Sequence, residues 1–215
     1  PLLSVGSALC GEDIFIDTSV VVSKTMNLEF RDVQVRNIET DAFVLGTKES
    51  SANYSVLKFR TLFSTYTNYL SLSNAGIKLV NSSFCNITFD IIQKIGIPIY
   101  IKPSGSCGQN IFRWNIIKQG NWGVVFGGAL TWEEAYWAEG NVFQFGFINS
   151  FNRGVYFTDN IKSNAALFIG AIDCLDIPDS WDVIDNSNTS NYSTGNLYLL
   201  NFVRLMLSQK KSCVK

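Results

Sequence analysis

The chain contains no histidine. That absence removes Ser-His-Asp and Cys-His nucleophile arrangements, histidine-ligated zinc and imidazole general bases. Charge is scarce as well. Only 16% of the 215 residues are charged and the net charge is −1. No basic field exists to hold a nucleic-acid backbone, so no nucleic-acid partner is expected. No apolar run reaches the roughly 18 residues that mark a membrane-spanning helix, so no membrane span is expected. The first residue is Pro1 rather than Met, as in a fragment or a processed product. Cysteine is limited to Cys10, Cys85, Cys107, Cys174 and Cys213. The count is odd and C-x-x-C spacing is missing. Most are expected as buried, small apolar side chains, with one bridge as the alternative. Asp173, Asp176, Asp179, Asp182 and Asp185, with Trp181, do not follow the calcium-loop pattern D-x-[DN]-x-[DN]-G. They read as a solvated acidic loop, the alternatives being a cation site with oxygen ligands or a set of carboxylates that acts on a saccharide. No metal and no cofactor are expected.

What the chain does have is apolar bulk. Hydrophobic residues make up 47%, with 16 Phe, 8 Tyr and 5 Trp, ample for one sizeable core. A single domain over 1–215 is expected, with 1–25 as a cap or first coil and 208–215 as an exposed tail.

One segment occurs twice. Residues 110–126 read N-I-F-R-W-N-I-I-K-Q-G-N-W-G-V-V-F, and residues 141–157 read N-V-F-Q-F-G-F-I-N-S-F-N-R-G-V-Y-F. They align without a gap at an offset of 31 (141 − 110), with identities at Asn110/Asn141, Phe112/Phe143, Ile117/Ile148, Asn121/Asn152, Gly123/Gly154, Val124/Val155 and Phe126/Phe157. Repetition at that period marks a solenoid or an array. Phe112, Trp114 and Ile116 have period two, as do Phe143, Phe145 and Phe147, so each set is expected on one face of a strand. Asn121-Trp122-Gly123 and Asn152-Arg153-Gly154 break the alternation. Asn and Gly tolerate positive φ, so a corner is expected there, with at least one residue of each triplet at positive φ. Val124 and Phe126 then repeat as Val155 and Phe157. Each copy reads strand, corner, strand, loop. Stacking such units places like above like at about 4.8 Å. A parallel β-helix is expected, an ordinary β-sandwich being the alternative.

Weaker copies extend the pattern. Leu28-Glu29-Phe30-Arg31 returns as Leu57-Lys58-Phe59-Arg60, 29 residues later (57 − 28), and Ile77-Lys78-Leu79-Val80-Asn81 follows Leu57 by 20 (77 − 57). Residues 165–169 and 196–202 supply further apolar strands, and 14–22 is a strand-like run. Excursions are expected at 47–54, 127–140 and 176–195. Five N-x-S/T sequons, at Asn53, Asn81, Asn86, Asn188 and Asn191, read either as glycosylation acceptors or as the ordinary yield of an Asn-rich chain with many corners.

The excursion 127–140 sets Trp132, Tyr136 and Trp137 among Glu133, Glu134 and Glu139. Flat aromatic faces stack on sugar rings, and carboxylates accept hydrogen bonds from hydroxyls. Trp132, Tyr136, Trp137 and Glu139 are therefore the candidate ligand-binding residues. Two carboxylates flanking a glycosidic bond are the minimum for glycoside hydrolysis, which makes Glu133 and Glu134 the candidate catalytic residues. In the alternative reading the rings cover the coil or pack on a neighbouring subunit.

The N-x-F-x-F strands, N-x-G triplets and long side loops of residues 110–126 and 141–157, and more loosely of 26–207, resemble the right-handed parallel β-helix of pectate-lyase-like proteins. Within that group the chain looks most like the tail spikes and tail fibres of bacteriophages. The resemblance implies an all-β, single-stranded right-handed parallel β-helix (solenoid) of about seven coils with side loops. It also implies a homotrimer at the virion surface, extracellular, in contact with other virion proteins and adhering to a host surface polysaccharide. Polygalacturonase-type relatives rely on an aspartate cluster with a Gly-His-Gly element, from which a chain without histidine departs. Pectate lyases use calcium-binding aspartates and a basic residue, and no such constellation is legible. Adhesion is the leading expectation, with a polysaccharide depolymerase or a purely structural virion protein as alternatives.

Overall fold

The computed structural model describes residues 8–127, 137–144, 146–149, 151–158, 162–163, 165–174, 180–185 and 197–203. The strands fall into two large sheets, and the chain passes repeatedly from one to the other. The first sheet holds β1 (Ala8–Ile16), β3 (Asn27–Val35), β5 (Val56–Ser64), β7 (Asn86–Gln93), β9 (Ile111–Lys118), β12 (Val142–Gln144), β13 (Phe147–Asn149), β16 (Ala166–Asp173) and β18 (Leu197–Val203). The second holds β2 (Val20–Val22), β4 (Phe43–Leu45), β6 (Ala75–Leu79), β8 (Ile97–Ile101), β10 (Trp122–Phe126), β14 (Arg153–Phe157) and β17 (Trp181–Asp185). A small third sheet pairs β11 (Trp137–Ala138) with β15 (Lys162–Ser163). Among the described residues a 3-10 turn, Tyr69–Ser71, interrupts the strands. Every ladder among the described residues is parallel. Parallel neighbours need a long return, and here the return runs through the opposite sheet. The fold is all-β, and its parallel strands are compatible with a β-helical solenoid. Among the described residues no helix is long and apolar enough to cross a membrane.

The two clear copies lie in adjacent strands and in register. Phe112 pairs with Phe143 and Ile117 with Ile148 in the first sheet, and Val124 with Val155 and Phe126 with Phe157 in the second. The rings stack as expected: Phe112 on Phe143 at 4.7 Å between centroids, Phe126 on Phe157 at 4.2 Å. All four rings are fully buried. Leu28 and Phe30 likewise stand beside Leu57 and Phe59. A second interior column runs Phe59, Phe89, Trp114, with successive centroids 5.2 and 6.1 Å apart.

Three details differ from the sequence reading. First, Ile116 and Phe147 do not share the inward face of Phe112 and Phe143. Pairing in the first sheet skips one position, between Phe30↔Phe59 and Asp32↔Thr61, and again at Asp90 and Asn115. The strand bends there and spends an extra residue outward, much as at a bulge. Parity then shifts, so Ile148 is 1% exposed and Phe147 is 56% exposed. Second, Ile77 is no copy of Leu57. It lies in β6, beside Phe43 and Ile99 of the second sheet. Third, the expected loop 176–195 contains β17, which pairs with β14 through Trp181↔Arg153 and Val183↔Val155. Val183 packs against the core, which a solvated acidic loop would not allow.

The cysteines within the described core behave as small apolar residues. Cys85 and Cys107 are buried free thiols. Burial pushes the Cys85 thiol up to about 11 and the Cys107 thiol up to about 12, so neither is a nucleophile at neutral pH.

Candidate functional site

Of the residues singled out in the excursion 127–140, Trp132, Glu133, Glu134 and Tyr136 lie outside the described residues, as does the side chain of Trp137. Glu139 is described, and it leads to a built feature of the fold. Its carbonyl accepts the Gln109 N–H at 2.7 Å. That bond belongs to a repeating corner at the entry to the first sheet.

Tyr54, Phe84, Gln109 and Gly140 each stand two residues before a strand of the first sheet, and each has positive φ (59°, 60°, 58° and 64°). The Tyr54 N–H donates to the Ser83 carbonyl (2.9 Å) and the Phe84 N–H to the Gly108 carbonyl (3.1 Å), as Gln109 does to Glu139. The left-handed conformation is thus held by bonds from one strand level to the next. One residue further on, the side chains turn inward and cap the backbone of the level before. Ser55 Oγ accepts from the Met26 N–H (3.0 Å), Asn110 Oδ1 from the Cys85 N–H (2.9 Å) and Asn141 Oδ1 from the Asn110 N–H (3.1 Å). Asn110 Nδ2 also donates to Asn141 Oδ1 (3.0 Å), and Asn141 Nδ2 donates to the Cys107 and Ala138 carbonyls (2.9 Å each). Both asparagines are fully buried. Without these bonds their amides would be costly inside the core.

The repeated triplets at the opposite corner are a correction. Trp122-Gly123 and Arg153-Gly154 open strands β10 and β14 and are not the turning residues. In the first copy the positive φ belongs to Gln119 (59°), two residues before Asn121. Asn152 Nδ2 donates to Asn121 Oδ1 at 2.9 Å, a second polar stack. The glycines serve close packing instead. A Cβ on Gly123 would stand 2.4 Å from the Gly154 carbonyl oxygen.

The outer side of the Glu139 corner is unlike the inner. A backbone that demands positive φ is served most cheaply by Gly or Asn, yet two positions carry Tyr54 and Phe84. Their rings are 64% and 48% exposed and lie parallel, 5.0 Å apart with 8° between planes. Beside them is a cleft of about 190 Å3 lined by Ser83, Phe84, Ser106, Gly108, Gln109 and Glu139. It offers hydroxyls, an amide, one carboxylate and an aromatic edge. Those groups can hold a hydroxyl-rich ligand. Glycoside hydrolysis needs two flanking carboxylates, and among the described residues this lining has one, Glu139.

Tyr54 and Phe84 were not singled out in the sequence. Their signal would have been two large aromatics in a column of turn residues, visible only after aligning Leu57, Ile87, Phe112 and Phe143. Of the acidic series, Asp173 accepts from Asn149 Nδ2 (3.4 Å) and Asp182 from the Cys174 N–H (3.4 Å), while Asp176 and Asp179 lie outside the described residues.

The chain matches no protein-family model, no curated protein and no solved structure.

Proposed function

We propose that the chain is an adhesion module of a viral particle, a tail-spike or tail-fibre component of the bacteriophage kind, that holds host surface glycans. In this reading the two sheets wind as a right-handed parallel β-helix of about seven coils, the hand that parallel crossovers favour. The module works at the virion surface as a homotrimer, fixed to other virion proteins, and its side loops face the host. The observation that carries the reading is the exposed parallel pair Tyr54–Phe84 beside the cleft of Glu139, Gln109, Ser83 and Ser106. Aromatic area kept outside the core at a strained backbone position supports a role in contact with a ligand. Trp132, Tyr136 and Trp137 precede Glu139 closely in the chain and extend the same aromatic character.

The test is binding of the full chain to a panel of bacterial surface polysaccharides. The double variant Tyr54→Ser, Phe84→Ser and the single variants Trp132→Ala and Trp137→Ala are compared with wild type. Wild type is expected to bind, and the double variant to lose about tenfold or more in affinity with little change in Tm. Absence of polysaccharide binding by wild type overturns the reading. Sedimentation is expected to show a trimer, and a stable monomer at micromolar concentration counts against the assembly.

A further inference from the structure

A second place on the molecule has the chemistry of a binding site, far along the sequence from Glu139. It lies on the outer face of the first sheet, on the part of β1, β3, β5 and β7 that follows the bend. There one column of side chains crosses four strands in register: Phe15 pairs with Gln34, Gln34 with Phe63, and Phe63 with Gln93. Ring and amide alternate from strand to strand. Together with Asp32, Thr61 and Arg60 these residues line a groove of about 450 Å3, within the roughly 300–1,000 Å3 typical of small-ligand sites.

Three observations narrow what such a groove takes. Phe15 is a large apolar ring left 56% exposed, with the Arg36 guanidinium 3.7 Å from its centroid. The cation fixes the ring's orientation on the surface. Phe15 and Phe63 are two strands apart, roughly 10 Å at ordinary strand spacing, the separation of alternate sugars in an extended chain. The charges in the lining cancel. Arg60 Nε donates to Asp32 Oδ1 at 3.1 Å, and a second guanidinium nitrogen pairs with Asp32 Oδ2. The lining residues thus carry no net charge, the Arg36 cation beside them being turned to the Phe15 ring, while Gln34, Gln93 and Thr61 present both donors and acceptors.

We infer that the column Phe15–Gln34–Phe63–Gln93 is a saccharide site for a neutral oligosaccharide of three or more sugar units. Rings stack on sugar faces at alternate strands, and the amides between them hydrogen-bond the hydroxyls. The inference shares its ligand class with the proposed adhesion role but stands on different residues and a different face.

The experiment is an array of neutral and acidic oligosaccharides, with acidic and basic peptides as controls, probed with the full chain and with Phe15→Ala, Phe15→Trp and Gln34→Ala. Neutral oligosaccharides are expected to bind, with affinity falling about tenfold or more in Phe15→Ala, falling less in Gln34→Ala and kept in Phe15→Trp. Tm is expected to stay unchanged in all three, because Phe15 and Gln34 face outward. Retention of no neutral oligosaccharide overturns the inference. So does equal retention by wild type and Phe15→Ala, or preference for acidic glycans or peptides. Loss of binding only in Tyr54→Ser, Phe84→Ser refutes the groove and leaves the corner reading standing. Loss only in the Phe15 and Gln34 variants supports the groove and refutes the corner as the glycan contact.

Discussion

The inner and outer sides of the corner at Tyr54, Phe84, Gln109 and Gly140 share one backbone and obey different rules. Inside, each position is dictated by its neighbour in the next strand. Asn110 caps the level before it and is capped by Asn141, and Phe112 lies flat on Phe143. Outside, four stacked positions with the same φ carry a phenol, a phenyl ring, an amide and no side chain at all. The core constrains residue type because a misfit there leaves a void or an unpaired amide. The outer corner constrains only the backbone, so its side chains are free to follow a ligand.

The largest effects should come from the inner side. Phe143→Ala removes a fully buried ring that stacks on Phe112, and is expected to cost about 3–5 kcal/mol in denaturant unfolding. A loss below about 1 kcal/mol would mean that the interior stack is not the source of stability. Asn141→Ala takes away the acceptor of the Asn110 N–H and of Asn110 Nδ2, and the donor to the Cys107 carbonyl. On the order of 1–3 kcal/mol is expected for each buried group left unpaired, read in the same unfolding experiment. Substitution by the isosteric but apolar Leu should not rescue it.

On the outer side the terms nearly cancel. Tyr54→Gly relieves a left-handed L-residue, worth roughly 1–2 kcal/mol. It gives up a ring stack worth about 0.5–1.5 kcal/mol and adds unfolded-chain entropy of about 0.5–1 kcal/mol. Stability is therefore expected to stay within about 1 kcal/mol of wild type while glycan binding falls. A large drop in Tm would move Tyr54 to the structural side of the comparison.

The smallest effect concerns the groove. The side-chain hydrogen bond from Arg60 holds the Asp32 carboxyl below the usual carboxylate range. A depressed folded pKa stabilises the protein above the unfolded value near 3.9 and loses that stabilisation as pH falls through the folded value. Wild type should exceed Arg60→Gln in stability at pH 7, by under about 1 kcal/mol for so exposed a pair. The gap should close below about pH 4 in a pH series of thermal melts. A gap that persisted at low pH would assign Arg60 a packing role instead.

The legible part of the fold was the part written in residue type. Two copies 31 residues apart, with Phe over Phe and Asn over Asn, already imply parallel stacking. The bend was not legible. Period two carried Ile116 and Phe147 inward on paper, and one extra outward residue sent Ile117 and Ile148 there instead. The candidate site was legible only at Glu139. Trp132, Glu133, Glu134 and Tyr136 lie outside the described residues. Tyr54 and Phe84 look like ordinary apolar residues until the bonds to Ser83 and Gly108 place them at a corner.

Burial preference and a short period are local properties, so the sequence alone determined an all-β chain with aromatic and β-branched strands and an Asn-marked repeat. Register is not local. From Val56 the next two partners in the first sheet are Asn86 and Ile111, steps of 30 (86 − 56) and 25 (111 − 86), because the intervening loops differ in length. Only the tertiary structure decided which strands meet, where each bends, and which side chains are left facing water. Phe15, Gln34, Phe63 and Gln93 form one column because hydrogen bonds between four strands align them, and nothing in their sequence positions does so.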